Sequence, residues 1–134
     1  MNSLLIKNAN IITMCNGIEL YSSFLGITSG IIDYVSDKPP KSQYDMTFDA
    51  QNAIVIPGFV NAHTHIPMVM FRGVADDIPL EKWLYDHIFP LEEKLTPDDV
   101  YSAAKLALSE MIAGGTTCFC DMYFFSEQII KATM

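Results

Sequence analysis

The sequence has few of the features that mark nucleic-acid-binding, membrane or secreted proteins. It has 8 Lys and Arg residues against 16 Asp and Glu, and a net charge of −8, which argues against binding to a phosphate backbone. No apolar run is long enough to cross a membrane. The N-terminus lacks the basic region and cleavage site of a signal peptide, and three cysteines form no even disulfide framework. We therefore expect a cytoplasmic protein with neither a nucleic-acid nor a membrane partner.

Short apolar segments separated by turn residues occupy the first 56 residues. Residues 4–14 and 18–28 are strand-like, and Asn16-Gly17 between them favours a type I′ hairpin turn. Three shorter segments up to Ile56 continue this pattern. Short strands with regular turns are typical of a small β-sandwich. We predict that residues 1–56 are strands of such a domain.

The most informative stretch runs from Val55 to His65. Its apolar run is broken by Pro57-Gly58, and a second short run then ends in two histidines one residue apart. On a β-strand, residues two apart project from the same face, about 6–7 Å apart along the strand. His63 and His65 could therefore converge on one metal ion, and imidazole suits Zn, Fe and Ni. Such a pair also arises by chance, so the spacing alone leaves both interpretations open.

The rest of the chain alternates between helical and strand-like patterns. Residues 78–89 have helical spacing, and we expect Pro90 to end that helix. Thr96 is the expected N-cap of a second helix, which two glycines terminate. A strand over residues 116–122 and the start of another helix follow. This order indicates a parallel βαβ unit.

Three segments together resemble one enzyme family. Residues 57–65, Pro-Gly-Phe-Val-Asn-Ala-His-Thr-His, are similar to the first-strand signature of the amidohydrolase superfamily. Residues 70–77, Met-Phe-Arg-Gly-Val-Ala-Asp-Asp, and 80–84, Leu-Glu-Lys-Trp-Leu, narrow the match. They resemble the branch that contains 5-methylthioadenosine/S-adenosylhomocysteine deaminases and triazine chlorohydrolases.

The resemblance implies an α/β fold in which a TIM (β/α)₈ barrel of a metal-dependent hydrolase is preceded by strands of a small β-sandwich domain. A barrel of this kind typically takes about 250 residues, and too few residues follow His65 to complete it. We therefore expect residues 57–134 to be the first βα units of a barrel that is incomplete in this chain. The chain would be an N-terminal portion of a larger protein or a truncated gene product.

The resemblance also implies a site for one divalent metal ion, Zn²⁺ first and Fe²⁺ second, with His63 and His65 as metal ligands. The family's other ligands and its acid/base glutamate come from later strands, so no catalytic residue is expected within this chain. Glu92 matches the family's ribose-binding acid, since a carboxylate can accept hydrogen bonds from two adjacent hydroxyls. Trp83 matches a tryptophan of the pocket wall and offers a flat face to a base or thioether.

Ordinary structural roles remain open for the same residues. Glu92 has the pattern of a solvated loop acid and Trp83 that of a core residue. His87, the third histidine, fits an amphipathic helix better than a metal site. Arg72 is expected to hold its loop by pairing with Asp76 or Asp77.

The activity implied by the resemblance is hydrolysis of a C–N bond other than a peptide bond. Its most specific form is deamination of an adenosine-type nucleoside (5-methylthioadenosine, S-adenosylhomocysteine or adenosine) by a metal-activated hydroxide. The expected partner is that small molecule, and a homo-oligomer is compatible with the sequence. The alternatives are a guanine or cytosine deaminase, a chlorohydrolase, or, for this chain alone, a non-catalytic fragment.

Overall fold

The computed structural model of the chain describes residues 2–134. These residues separate into two compact units, one that ends at Pro57 and one that spans Gly58–Met134. Within the described residues, no helix is both long and apolar enough to cross a membrane.

The first unit is a five-stranded mixed sheet. Its strands are β1 (Ser3–Ile12), β2 (Glu19–Thr28), β3 (Ile31–Ser36), β4 (Met46–Asp49) and β5 (Ile54–Val55). β1 is central: β2 pairs with it antiparallel on one side, and β4 and β5 pair with it parallel on the other. β3 continues the sheet beyond β2. The predicted strands are therefore present, with ends that differ by one or two residues.

The turn between β1 and β2 is the predicted hairpin turn. Asn16 and Gly17 have φ angles of +52° and +69°, and the N–H of Ile18 donates to the carbonyl of Cys15 at 3.0 Å. A type I′ turn needs positive φ at both central residues, which Asn and Gly adopt at low cost. The local sequence thus determines how the two longest strands are joined.

The second unit contains two parallel strands covered by helices. Its elements are β6 (Phe59–Thr64), a 3₁₀ helix (Ile66–Phe71), α1 (Leu80–Lys82), a π-helical turn (Trp83–Ile88), α2 (Phe89–Glu92), α3 (Pro97–Ala113), β7 (Thr116–Asp121) and α4 (Ser126–Thr133). β6 pairs parallel with β7, so the predicted βαβ unit is confirmed. Its core joins the 3₁₀ helix, α3 and α4 through Ile66, Val100, Ala104, Ala107, Ile129 and Ala132.

The helical stretch before α3 does not end at Pro90, so that prediction was wrong. In the preceding π-helical turn, the N–H of Phe89 donates to the carbonyl of Leu84, five residues back. In a π-helical turn each N–H donates to the carbonyl five residues back instead of four. This change in hydrogen-bond register comes just before Pro90, which has no backbone N–H to donate. Pro90 therefore lies in the first turn of α2, and the chain stays helical to Glu92.

Thr96 caps α3 as predicted. Its side-chain oxygen accepts a hydrogen bond from the Asp99 N–H, and the Asp99 carboxylate accepts one from the Thr96 N–H at 2.9 Å. This reciprocal capping box satisfies two backbone donors at the start of the helix. The hydrogen bonds from Thr96 lower the pKa of Asp99 below its ordinary value.

Thr96→Ala should loosen the first turn of α3 without unfolding the helix. The free-energy cost of losing a Thr cap is about 1 kcal/mol, which corresponds to about fivefold faster amide exchange in that turn. Hydrogen exchange of the Asp99 and Val100 amides, which donate to the Thr96 side chain and carbonyl, measures this directly. Ser109→Ala, on the exposed side of the same helix, is the control and should leave the first turn unchanged. Equal exchange in Thr96→Ala and the unaltered protein would contradict the assigned cap.

Candidate metal and substrate site

Two histidines converge where β6 ends. His63 lies in the strand. His65 is the first residue after the strand and the N-cap of the 3₁₀ helix. Their Nε2 atoms lie 3.3 Å apart, and the rings meet edge to face with centroids 5.1 Å apart. The structure thus brings together the pair of imidazole nitrogens that the sequence spacing predicts.

The His65 ring is held by the segment that follows β7. Its Nδ1 lies 2.7 Å from the carbonyl oxygen of Met122. Because a carbonyl can only accept, Nδ1 carries the proton, and the lone pair of the neutral ring is on Nε2. The N–H of Met122 donates in turn to the carbonyl of Thr64. Metal-binding histidines commonly donate their second N–H to a carbonyl in this way.

The histidine pair fits two positions of a tetrahedral metal site. Zinc–nitrogen bonds of about 2.0–2.1 Å in tetrahedral geometry place two ligand nitrogens about 3.3–3.4 Å apart. The observed separation of 3.3 Å matches that value. Within residues 2–134, no cluster of three or more His, Cys, Asp or Glu side chains could hold a metal. The described residues therefore offer two ligands and leave the other positions open.

The four residues predicted for the site line one cavity. Its volume is about 820 Å³, within the range of small-molecule sites. His63 and His65 contribute to its wall together with Trp83 and Glu92. The remaining lining residues are Met68, Leu80, Leu84, Ile88, Phe89, Met122, Tyr123 and Phe124. A mostly apolar wall with a few polar groups is typical of a binding site for a small organic molecule.

Glu92 is not a solvated loop acid. It is the last residue of α2 and half-buried, and its Oε1 accepts a hydrogen bond from the Tyr123 hydroxyl at 2.7 Å. Burial and this hydrogen bond raise the pKa of Tyr123 far above its ordinary value, so the hydroxyl stays a donor. Sequence reasoning missed Tyr123. Its position just after β7 was the available signal, because residues at the ends of barrel strands approach the site.

Trp83 serves both as a wall of the cavity and as an anchor for the preceding loop. Its Nε1–H donates to the carbonyl of Val74 at 2.9 Å, which fixes the plane of the indole. The side chain is half-buried and begins the π-helical turn. Such turns occur frequently at functional sites.

Two other polar residues are kept out of the cavity. Arg72 pairs with Glu110 of α3, not with Asp76 or Asp77 as predicted. Both guanidinium nitrogens donate to the Glu110 carboxylate, at 3.1 and 2.6 Å, because the 3₁₀ helix that precedes Arg72 packs against α3. A guanidinium group can donate two parallel hydrogen bonds to one carboxylate, and this bidentate contact is stronger and more specific in geometry than a single hydrogen bond. His87 is exposed and does not line the cavity.

The sequence from the last strand of the first unit onward has a recognisable family pattern. Residues 54–134 match the model of the amidohydrolase family. The chain belongs to this family. The resemblance inferred from the strand signature is therefore confirmed, and the histidine pair lies in the matched region.

Named amidohydrolases are similar over nearly the whole chain. A 5-methylthioadenosine/S-adenosylhomocysteine deaminase of Acetivibrio thermocellus is 45% identical over 97% of this chain and 31% of its own length. A crystal structure of an adenosine deaminase from Xanthomonas campestris with bound zinc is 36% identical, with a TM-score of 0.87 over 96% of this chain and 30% of the other. An atrazine chlorohydrolase from Arthrobacter aurescens, complexed with zinc, is 22% identical, with a TM-score of 0.87 over 97% of this chain and 33% of the other.

These similarities confirm the predicted fold class. The mixed α/β chain has the fold of part of an amidohydrolase TIM barrel with its accompanying β-strands. The chain spans about a third of the length of the curated relatives that it matches. The similarity to the atrazine chlorohydrolase, at 22% identity, is evidence for a shared fold only. The adenosine deaminase with bound zinc is similar at the higher identity of 36%.

Proposed function

We propose that this chain forms part of the active site of a metal-dependent amidohydrolase that hydrolytically deaminates an adenosine-type nucleoside. The observation that carries the proposal is the convergence of the His63 and His65 Nε2 atoms at 3.3 Å in a cavity that also contains Glu92. The deaminase names of the similar proteins support it. The candidate substrates are 5-methylthioadenosine, S-adenosylhomocysteine and adenosine.

His63 and His65 would hold one divalent metal ion. Zinc is favoured because it is bound in the similar adenosine deaminase, and Fe²⁺ is the other candidate. Such an ion would supply Lewis-acid activation of the attacking water. The contribution of this chain is to orient the ligands: the Met122 carbonyl keeps the His65 proton on Nδ1 and leaves Nε2 free to bind.

Glu92 and Trp83 would bind the nucleoside. A carboxylate has two oxygens with about four acceptor positions, so Glu92 can accept from both hydroxyls of a ribose diol while it keeps its bond to Tyr123. The indole of Trp83, fixed by its bond to Val74, offers a flat apolar face to the base or to a thioether. The mostly apolar lining of the cavity is typical of a site that binds such a molecule.

Two further predictions from the sequence stay proposals. We propose residues 1–56 as the N-terminal strands of a small β-sandwich domain and residues 57–134 as the first βα units of an amidohydrolase TIM barrel. We also propose a reducing compartment such as the cytoplasm, since Cys15, Cys118 and Cys120 are free and exposed.

The proposed reaction is tested by assaying the full-length product of the gene, loaded with zinc, for ammonia release. Adenosine, S-adenosylhomocysteine and 5-methylthioadenosine are compared with guanine and cytosine. We expect turnover of at least one of the three adenosine-type substrates. Turnover of guanine or cytosine alone would replace the proposal with another amidohydrolase activity.

Glu92→Gln should lower kcat/KM for adenosine without changing the zinc content. Losing a charge-assisted hydrogen bond to the diol costs about 1.5–3 kcal/mol, which is about ten- to a hundredfold in kcat/KM. Steady-state kinetics and metal analysis of the same preparation measure both quantities.

Glu93→Gln is the matched control for this change. Glu93 is the next residue, carries the same side chain, is exposed and does not line the cavity. Its substitution should leave kcat/KM unchanged. If both variants behave like the unaltered protein, Glu92 does not bind the diol.

A further inference from the structure

Two consecutive residues after β7 contact both sides of the candidate site. The carbonyl of Met122 accepts from Nδ1 of His65 at 2.7 Å, and the hydroxyl of Tyr123 donates to Oε1 of Glu92 at 2.7 Å. Because the two residues are joined by one peptide bond, the segment fixes the metal-side histidine and the cavity carboxylate with respect to each other.

The Tyr123 hydroxyl restricts a side chain that is otherwise free to rotate. The last torsion of a glutamate is broad, so an unrestrained Glu92 would have to be ordered each time a ligand bound. The carboxylate of Glu92 has two acceptor positions on each oxygen. The hydrogen bond from Tyr123 uses one position on Oε1, so one position on Oε1 and both positions on Oε2 remain free. Those positions are the ones that two neighbouring hydroxyls of a ligand would need.

We propose that Tyr123 is a positioning residue for diol recognition: it holds Glu92 in the orientation that accepts both ribose hydroxyls and so favours ribonucleosides over dideoxyribonucleosides. This inference rests on the proposed function, because it deepens the role proposed for Glu92. It assigns no contact between Tyr123 and the reacting atoms.

The surroundings of Tyr123 suit that role. Its ring packs against the core formed by the 3₁₀ helix, α3 and α4. This packing restricts the movement of the ring and therefore of its hydroxyl. The ring centroid lies 6.4 Å from that of His65. The backbone before it is tied to β6, since the Met122 N–H donates to the Thr64 carbonyl. The raised pKa of Tyr123, due first to burial and then to Glu92, keeps the hydroxyl protonated.

The test compares adenosine with 2′,3′-dideoxyadenosine as substrates of the zinc-loaded, full-length gene product. For Tyr123→Phe we expect KM for adenosine to rise about tenfold, the equivalent of one charge-assisted hydrogen bond. We expect kcat to stay within about twofold, and both constants for dideoxyadenosine to stay unchanged. In a Glu92→Gln background, Tyr123→Phe should have no further effect, because the group that it positions has already been altered.

Tyr21→Phe is the matched control. Tyr21 also donates to a carboxylate at 2.7 Å, that of Glu19, but it is exposed and does not line the cavity. The same hydroxyl is removed and the same kind of bond is broken, so adenosine and dideoxyadenosine kinetics should both be unaffected.

The possible outcomes separate the inference from the function on which it rests. If Glu92→Gln reduces the preference for adenosine but Tyr123→Phe does not, the positioning role is wrong and the role of Glu92 stands. An equal loss for both substrates in Tyr123→Phe assigns Tyr123 a purely structural role and overturns the inference. If Glu92→Gln leaves the preference unchanged, Glu92 does not bind the diol and the inference fails with that role, whereas the proposed deamination stands. If the unaltered protein turns over none of adenosine, S-adenosylhomocysteine and 5-methylthioadenosine, the proposed function fails and the inference fails with it.

Discussion

Replacing both His63 and His65 with alanine should abolish tight zinc binding by the full-length gene product and its turnover of adenosine. The two Nε2 atoms lie 3.3 Å apart, the separation of two ligands on one tetrahedral zinc ion. The Met122 carbonyl holds His65 in the tautomer that leaves Nε2 unprotonated. Removing both side chains deletes this pair of nitrogens, and the described residues contain no cluster of three or more His, Cys, Asp or Glu side chains that could hold the metal instead.

The loss of zinc affinity should exceed about 100-fold, because changing even the outer partners of metal ligands costs 10–100-fold. Zinc content and ammonia release are measured on the same purified protein. His87→Ala is the control: it removes the third histidine, which is exposed and does not line the cavity. A double variant that retains its zinc and its turnover would show that the metal is bound elsewhere.

The 134-residue chain expressed alone should have no deaminase activity and should unfold with low cooperativity. Its described residues supply two candidate metal ligands, whereas a catalytic zinc site usually has three protein ligands and an open position. Large apolar side chains also remain exposed on strands that pair in the structure, among them Ile32 and Phe48 in the first unit and Phe59 and Val60 in the second. Exposed apolar faces of this kind favour self-association or aggregation.

Thermal unfolding and gel filtration of the isolated chain, with an ammonia-release assay after zinc loading, test this expectation. We expect a broad transition, species larger than a monomer and no turnover of adenosine, S-adenosylhomocysteine or 5-methylthioadenosine. A monomer with a sharp transition and turnover within about tenfold of a full-length relative would contradict it. The chain would then supply a complete site by itself.

Local sequence predicted the parts of the fold that local chemistry determines. Asn16-Gly17 forms its turn because positive φ at two successive positions favours these residues. Thr96 was predicted as the N-cap of α3, and its reciprocal hydrogen bonds with Asp99, three residues later, were added by the structure. The histidine pair was likewise visible, since residues two apart on a strand project from one face.

The contacts that were missed depend on tertiary packing. Tyr123 and Glu92 are 31 residues apart, and Arg72 and Glu110 are 38 apart. Many side chains in the sequence could have been their partners, and only the packing of helices on the strands selects among them. Pro90 was misjudged for a related reason: the π-helical turn before it changes the hydrogen-bond register without altering the helical spacing of apolar residues.

Anomalous diffraction at the zinc absorption edge, from crystals of the zinc-loaded full-length gene product, tests the central claim most directly. The measured quantity is the distance from the zinc ion to each histidine Nε2. We predict one zinc ion in the cavity with Nε2 of both His63 and His65 about 2.0–2.1 Å from it. A zinc ion in another place, or one bound by only one of these two histidines, would contradict the account.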